Sequence, residues 1–358
     1  MRYFLVLLIG SVILFYSCQS PTSSAKEGIN DDIQIVFYNV ENLFDTIDEP
    51  DKMDEEFTPG SEKKWNSERY FTKLKNLSQV IDSIGENEYP AIVGLEEVEN
   101  RAVLEDLVQQ EAIVDAQYKI IHFESPDFRG IDNALLYRPD IFNPIFQEAI
   151  PIQMPDSIAN INDHELTSRD ILYVKGIVYG KDTLHIFVNH WTSMYYGEEE
   201  TIPHRKYCAS ILKQKTDSIL TLNPQANIIA GGDLNENVFA PAVNTILKVD
   251  TSFNNIQNHQ LYNLTYYLFT KQGCGTYNYR GEWGILDHII VSGALLQKDH
   301  SIQTQKDWIK TFDSDMVMNF YENKYGKGKR PNRTYGGNNY YGGYSDHLAI
   351  YLNLKIVN

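Results

Sequence analysis

Cysteine is scarce in this chain: 358 residues hold only Cys18, Cys208 and Cys274. No two of them stand at a metal-ligand spacing, and so few cannot frame a disulfide scaffold. A single Cys208–Cys274 bridge stays open on the sequence alone. Cations are the next shortage, with 31 Lys and Arg against 48 Asp and Glu and a formal net charge of −17. A chain of that sign repels polyanions at long range, which argues against a protein that coats DNA without specificity. It does not argue against phosphate chemistry, because divalent cations in a cleft invert the local field. Internal repeats of solenoid period are absent. Long apolar runs are absent too, with one exception.

That run extends from Tyr3 to Tyr16, after Arg2, and ends in Ser17-Cys18. It is short for a membrane span and has the length of the apolar region of an export signal. A cysteine directly after the run, preceded by a small residue and with Leu14 four positions before it, resembles a bacterial lipoprotein processing site. The expectation is cleavage before Cys18 and lipid attachment to its sulfur. The protein would then be exported and anchored in the cell envelope, on either membrane. Residues 1–17 form the signal and residues 18–31, rich in Ser, Pro and Thr, a flexible tether. Residues 32–358 show no linker-like shift in composition and read as a single domain, expected to be monomeric.

Hydrophobic residues make up 42% and charged residues 22% of the chain, enough for a sizeable core. Apolar runs at Ile33–Tyr38, 90–95, 118–123, 132–137, 171–178, 184–188, 227–230, 285–291 and 348–354 read as strands. Apolar residues at helical spacing mark helices over 70–84, 102–110 and 207–220. Most connections after Tyr118 run from strand to strand. Two sheets packed face to face with helices outside would bury such continuous strands on both faces.

Polar residues recur at the ends of these strands: Asn39, Glu97, His190, Asp233 with Asn235, Asp287, and Asp346 with His347. Glycine precedes several of them, as in Gly231-Gly232-Asp233. Sites assembled this way are exposed at one sheet edge and held by rigid strands. Carboxylates and an amide oxygen are hard ligands suited to Mg²⁺ or Mn²⁺, with no thiolate in the set. Two histidines among them can supply proton transfer and hydrogen bonds to a transition state. Hydrolysis at phosphorus needs a metal to offset charge, an oriented water, and donors around the equatorial oxygens. Taken singly, each residue also fits an ordinary role as a turn, helix-start or surface residue; the joint set is the signal.

Five segments in order carry a resemblance: Phe37-Tyr38-Asn39-Val40-Glu41-Asn42-Leu43, Ile92-Val93-Gly94-Leu95-Glu96-Glu97-Val98, Gly231-Gly232-Asp233-Leu234-Asn235, Leu286-Asp287-His288-Ile289-Ile290-Val291-Ser292, and Tyr344-Ser345-Asp346-His347-Leu348. Together they resemble the motifs of the endonuclease/exonuclease/phosphatase superfamily, over Ile33 to Leu354. The resemblance implies an α/β (α+β) four-layer sandwich, two packed mixed sheets flanked by helices. It implies Asn39, Glu97 and Asp346 at the metal, with Glu97 the main ligand. Asp233 would orient or activate water or serve the leaving group, Asn235 would hold the scissile phosphate, and His190 would bond its oxygens. His347, oriented by Asp287, would act as general base or polarise the phosphate. Two positions depart from the common pattern. Glu96 adds a charge beside Glu97, either facing away from the metal or tuning it. His288 either touches substrate or packs.

Arg169, Arg129 and Arg205 are candidates for clamping phosphate, since guanidinium bonds it in two places. Between Tyr321 and Tyr344, the cations Lys324, Lys327, Lys329, Arg330 and Arg333 alternate with tyrosines and glycines. That stretch can grip single-stranded nucleic acid or a headgroup, or can be an ordinary surface loop. The expected activity is metal-dependent hydrolysis of nucleic acid or nucleotide-like diesters. The alternatives are a lipid or inositol phosphate on the same centre, or an inactive binding module, which the complete residue set disfavours.

Overall fold

A strand with apolar residues on both sides needs a neighbour on each face, and the strands of this chain have one. The computed structural model describes residues 32–86, 88–161, 164–323 and 326–357. The export and lipidation expectations, including Cys18 and the tether, lie outside the described residues, as do Lys324 and Tyr325. Among the described residues, no helix is long and apolar enough to cross a membrane.

The first sheet contains β1 (Asp32–Leu43), β2 (Ile92–Val98), β3 (Lys119–His122) and β4 (Asp132–Tyr137). The second contains β5 (Phe142–Ile150), β6 (Ile171–Val178), β7 (Asp182–His190), β8 (Asn227–Asp233), β9 (Leu261–Asn263) and β10 (Asp287–Ser292). The chain then returns to the first sheet as β11 (Ile302–Gln303), β12 (Ile309–Thr311) and β13 (Ile350–Ile356). The first sheet runs β11-β13-β1-β2-β4-β3, with β12 also on β13, and the second β9-β10-β8-β7-β6-β5. Both are mixed: β1 pairs parallel with β2 and β7 with β8, while the neighbouring ladders are antiparallel.

Side chains alternate across each sheet, so each strand feeds two cores. In β1, Ile35 and Phe37 face the second sheet, together with Ile186, Val188, Ile229 and Ile289. Val36 and Tyr38 face outward, toward α1 (Ser67–Gly85) and α2 (Arg101–Val108). In β8, Ile229 points inward while Ile228 and Ala230 face α3 (Glu198–Leu222), meeting Cys208, Ala209 and Leu212. Helix, sheet, sheet, helix are the four layers expected.

α1 starts where Asn66 accepts a hydrogen bond from the Arg69 amide and buries Leu74, Leu77, Val80, Ile81 and Ile84, the stripe read from sequence. α3 begins at Glu198, before the apolar periodicity that marks it in the sequence. Its first turn is Glu198, Glu199 and Glu200, favourable beside the positive helix end but carrying no stripe. β5 gives no sequence signal because it is a largely exposed edge strand, holding Pro144 and a register shift there. Cys208 and Cys274 are both free thiols, which closes the question of their bridge.

Candidate active site

Register aligns the polar residues before any side chain is placed. On the second sheet, Asp233 pairs with His190 on one side and with Asp287 on the other. On the first, Asn39 pairs with Glu96, which pairs with Asn133. The two rows meet across the sheets, Asn39 of the first bonding Asp233 of the second. Phe37 lies beneath them between Gly94 and Gly231, at which an added Cβ would come within 2.7 and 2.5 Å of its ring. Gly94 is the register partner of Phe37 in the same sheet and Gly231 lies in the second, so the absence of both side chains makes room for the ring between the sheets.

Four residues of the rim hold backbone that side chains rarely adopt: Glu41, Asn42, Glu97 and Asn235 have φ of 53, 54, 65 and 49°. Strain of this kind costs on the order of 1–3 kcal/mol per residue and persists where the surroundings enforce it. At Glu97 it coincides with a register shift between Glu96 and Val98, so successive glutamates need not point to opposite faces.

Asp287 Oδ2 lies 2.8 Å from His347 Nδ1 and, as a carboxylate, accepts its proton in a hydrogen bond. The other ring nitrogen, Nε2, then faces Asp233 Oδ2 at 3.8 Å. Burial opposes charge on this ring, but the carboxylates of Asp287 and Asp233 outweigh it and hold His347 well above the usual histidine range. His190 is driven the other way, by burial and then by the charges of Arg169 and Arg129, and is neutral. Its Nε2 lies 3.7 Å from both Glu97 Oε1 and Asp233 Oδ2. Asn39 Nδ2 donates to Asp233 Oδ2 at 3.0 Å and Glu97 Oε1 at 3.4 Å. Asn235 donates its amide N–H to Asp233 Oδ1 and its side-chain amide to the Trp191 carbonyl. Burial pushes Asp233 up to about 7.

Asp346 meets this group from the loop before β13. Ser345 donates to the Asn39 carbonyl at 2.7 Å, which ties that loop to the end of β1. Arg333 bonds Asp346 Oδ2 at 2.8 Å and Glu41 Oε1 at 3.3 Å. Carboxylates from Glu41, Glu97, Asp233, Asp287 and Asp346 gather at this edge, and no sulfur lies among them. That concentration of hard anionic oxygen fits a divalent cation, which Glu97, Asn39 and Asp346 would hold. A separate trio, His122, Glu124 and Asp132, has ligand atoms within 4.8 Å of one another. There His122 and Asp132 already bond each other at 3.0 Å, and Asp132 also accepts from Ser125, so their arrangement needs no ion.

The model of the endonuclease/exonuclease/phosphatase family matches residues 34–356. The chain belongs to that family. As a member of the endonuclease/exonuclease/phosphatase family it is a hydrolase of phosphoester bonds. A Bacteroides thetaiotaomicron protein of the same family has a solved structure that superposes with a TM-score of 0.54 at 14% identity, covering 91% of this chain and 98% of that one. Caenorhabditis elegans TDP2 gives 0.53 at 16% identity, covering 91% and 98%. D. rerio TDP2 complexed with single strand DNA product gives 0.53 at 14%, covering 91% and 99%. At these identities the likeness establishes the fold. No curated protein matches the sequence.

Within this family member the three arginines part company. Arg169 is buried, donating to Asp127 Oδ2 at 3.1 Å and to the Trp191 carbonyl, next to His190. Arg129 lies beside the same Asp127, partly exposed. Arg205 is a correction: it is fully buried in α3, its donors taken by Glu236, Thr201 and the Glu198 carbonyl, out of reach of any substrate. His288 is packed, donating from Nε2 to the Glu236 carbonyl and accepting at Nδ1 from Asn263. Glu96 lies between the sheets beneath the site, its Oε1 2.7 Å from where a Cβ on Gly232 would stand. Burial, then Asp287 and Asp233, raise its carboxyl well above the usual range, so it is protonated and adds no charge.

Two contributors lacked a readable signal. Lys73 on α1 is fully buried and donates to the Glu41 carbonyl, Thr334 Oγ1 and the Tyr344 carbonyl, fastening the Asp346 loop to β1. In the sequence it is one lysine on an amphipathic helix. Tyr277 lies with its ring centre 5.0 Å from that of His347.

Proposed function

We propose that this hydrolase cleaves phosphodiesters in nucleic acid or nucleotide-like substrates, with Mg²⁺ or Mn²⁺, outside the cytoplasmic membrane and tethered through a lipidated Cys18. The carrying observation is the Asp287–His347–Asp233 line, with Asn39 and His190 converging on the same Asp233 and Glu97 reached by both of them. A divalent cation held by Glu97, Asn39 and Asp346 would offset the charge of the phosphate oxygens when bound.

The chain's own groups supply the rest. Asp287 fixes the orientation of the charged His347, leaving its Nε2–H to hydrogen-bond a phosphate oxygen or give it a proton. His190, kept neutral by burial, offers a second donor at Nε2 without adding charge. Asp233, held by Asn39 and the Asn235 amide, is the carboxylate placed to orient an attacking water. Such groups act in a site whose geometry is set before the substrate arrives. The zebrafish relative solved with single strand DNA product supports a polynucleotide over a headgroup. A monomer anchored by its own lipid needs no partner chain to complete this set.

The test is hydrolysis by the purified full chain with added Mg²⁺ or Mn²⁺, across single-stranded DNA, plasmid DNA, RNA, bis-p-nitrophenyl phosphate, sphingomyelin and inositol phosphates. His347→Ala is expected to lose roughly 10²–10⁴-fold in kcat, the range of a lost acid–base or transition-state group. Cleavage confined to sphingomyelin or inositol phosphates would replace the proposed substrate class. Silence across the panel without metal binding would leave the fold as a binding module.

A further inference from the structure

Tyr277 and His347 form an isolated bridge as well as a ring contact, so the chain around Tyr277 starts at the catalytic histidine. It continues as a hairpin, Tyr277–Tyr279 against Glu282–Gly284, with Tyr277 opposite Gly284 and Tyr279 opposite Glu282. Side chains alternate along a strand, so Tyr279 shares a face with Tyr277, two residues or about 7 Å further out. Tyr279 is 57% exposed, and the Arg280 guanidinium lies 4.9 Å from its ring centre.

A second hairpin, Met318–Asn323 against Gly326–Pro331, braces the first: Tyr321 donates its hydroxyl proton to the Gly281 carbonyl at 3.5 Å. Arg330 stands over Tyr321 at 5.6 Å; on the other face of the same strand Lys327 is exposed and Lys329 pairs with Asp315. This is the basic stretch singled out in the sequence. Its final cation, Arg333, leaves it for Asp346 and Glu41.

We infer that the Tyr279–Arg280 hairpin is a stacking shelf for an unpaired base next to the scissile phosphate, so that the preferred substrate is single-stranded nucleic acid. The inference rests on the phosphodiesterase reading above and specifies it. An aromatic ring with a guanidinium against it offers a plane to any base, whereas neighbouring cations meet the backbone; the combination tolerates sequence but needs exposed bases. Duplex bases are stacked on each other, an inositol headgroup has no planar face to stack, and a choline cation is repelled by the guanidinium already against the ring.

The experiment compares kcat/KM of the full chain on a thymidine dinucleotide and on oligothymidylates of increasing length. Each value is referred to the same preparation's rate on bis-p-nitrophenyl phosphate. The wild type gains with length, and Tyr279→Ala loses roughly tenfold of that gain through KM, as expected for one lost stacking contact. Tyr279→Trp restores it, which a merely structural role for the tyrosine would not predict. An unchanged length dependence in Tyr279→Ala overturns the shelf, as does equal cleavage of duplex and single-stranded DNA by the wild type. A wild type that cleaves sphingomyelin or inositol phosphates and no nucleotide diester overturns the reading beneath it instead.

Discussion

The same residue type serves three purposes within a few ångströms of this centre. His347 is held charged by two carboxylates, His190 neutral by burial and nearby arginines, and His288 neutral by burial alone, at about 4. The backbone carbonyl of Glu236 can only accept, so His288 Nε2 must donate and Nδ1 is left to accept from Asn263. Protonating Nδ1 would set an N–H against that amide. In the unfolded chain the ring titrates near 6.5, so the unfolded state binds the extra proton first. Stability is therefore complete above about 6.5 and falls as pH drops toward about 4, by about 3 kcal/mol from this residue. Urea unfolding across that window should show a shallower loss for His288→Asn than for the wild type. An identical slope would show that the ring does not stay neutral in the fold.

At the scale of elements, the site depends on how the ring of Phe37 is seated between the two sheets. Phe37 from β1 fills the gap left by Gly94 of β2 and Gly231 of β8. Gly231→Ala would drive a methyl to 2.5 Å from that ring. The cost expected is about 1–3 kcal/mol, as for other overpacked cores, together with lower activity as Asp233 is displaced. Phe37→Leu in the same chain should recover part of both, because the smaller side chain yields space. Additive losses in the double variant, measured by thermal unfolding and turnover, would refute this packing account. The paired glycines are visible in the sequence as parts of separate motifs, but nothing there says that they meet one ring.

For the molecule as a whole, charge sets the behaviour. A net −17 chain that concentrates Glu41, Glu97, Asp233, Asp287 and Asp346 at one edge carries repulsion that a cation relieves. Mg²⁺ or Mn²⁺ should thus raise the melting temperature, with a stabilisation of about 2.7 kcal/mol at a hundredfold excess over the dissociation constant. Glu97→Gln should weaken the dependence on metal concentration while raising the metal-free melting temperature. A metal response unaltered in Glu97→Gln would place the cation elsewhere, with His122, Glu124 and Asp132 the next group to test.

Much was legible before any coordinates. Apolar runs ending in Asn39, Glu97, His190, Asp233, Asp287 and His347 marked both the strands and the residues at their ends, because a strand buried on two faces must be apolar throughout and polar only where it emerges. The five ordered motifs carried the family and the four layers. Tertiary structure alone decided where each buried arginine lies: Arg205 and Arg169 look alike in sequence, yet one is sealed in α3 and the other lies against the His190 wall. It also decided that His288 packs, that Glu96 sits beneath the site uncharged, and that Lys73 and Tyr277 belong to it. Those outcomes depend on contacts between residues far apart in the chain, and side-chain type at one position does not encode who its neighbour will be.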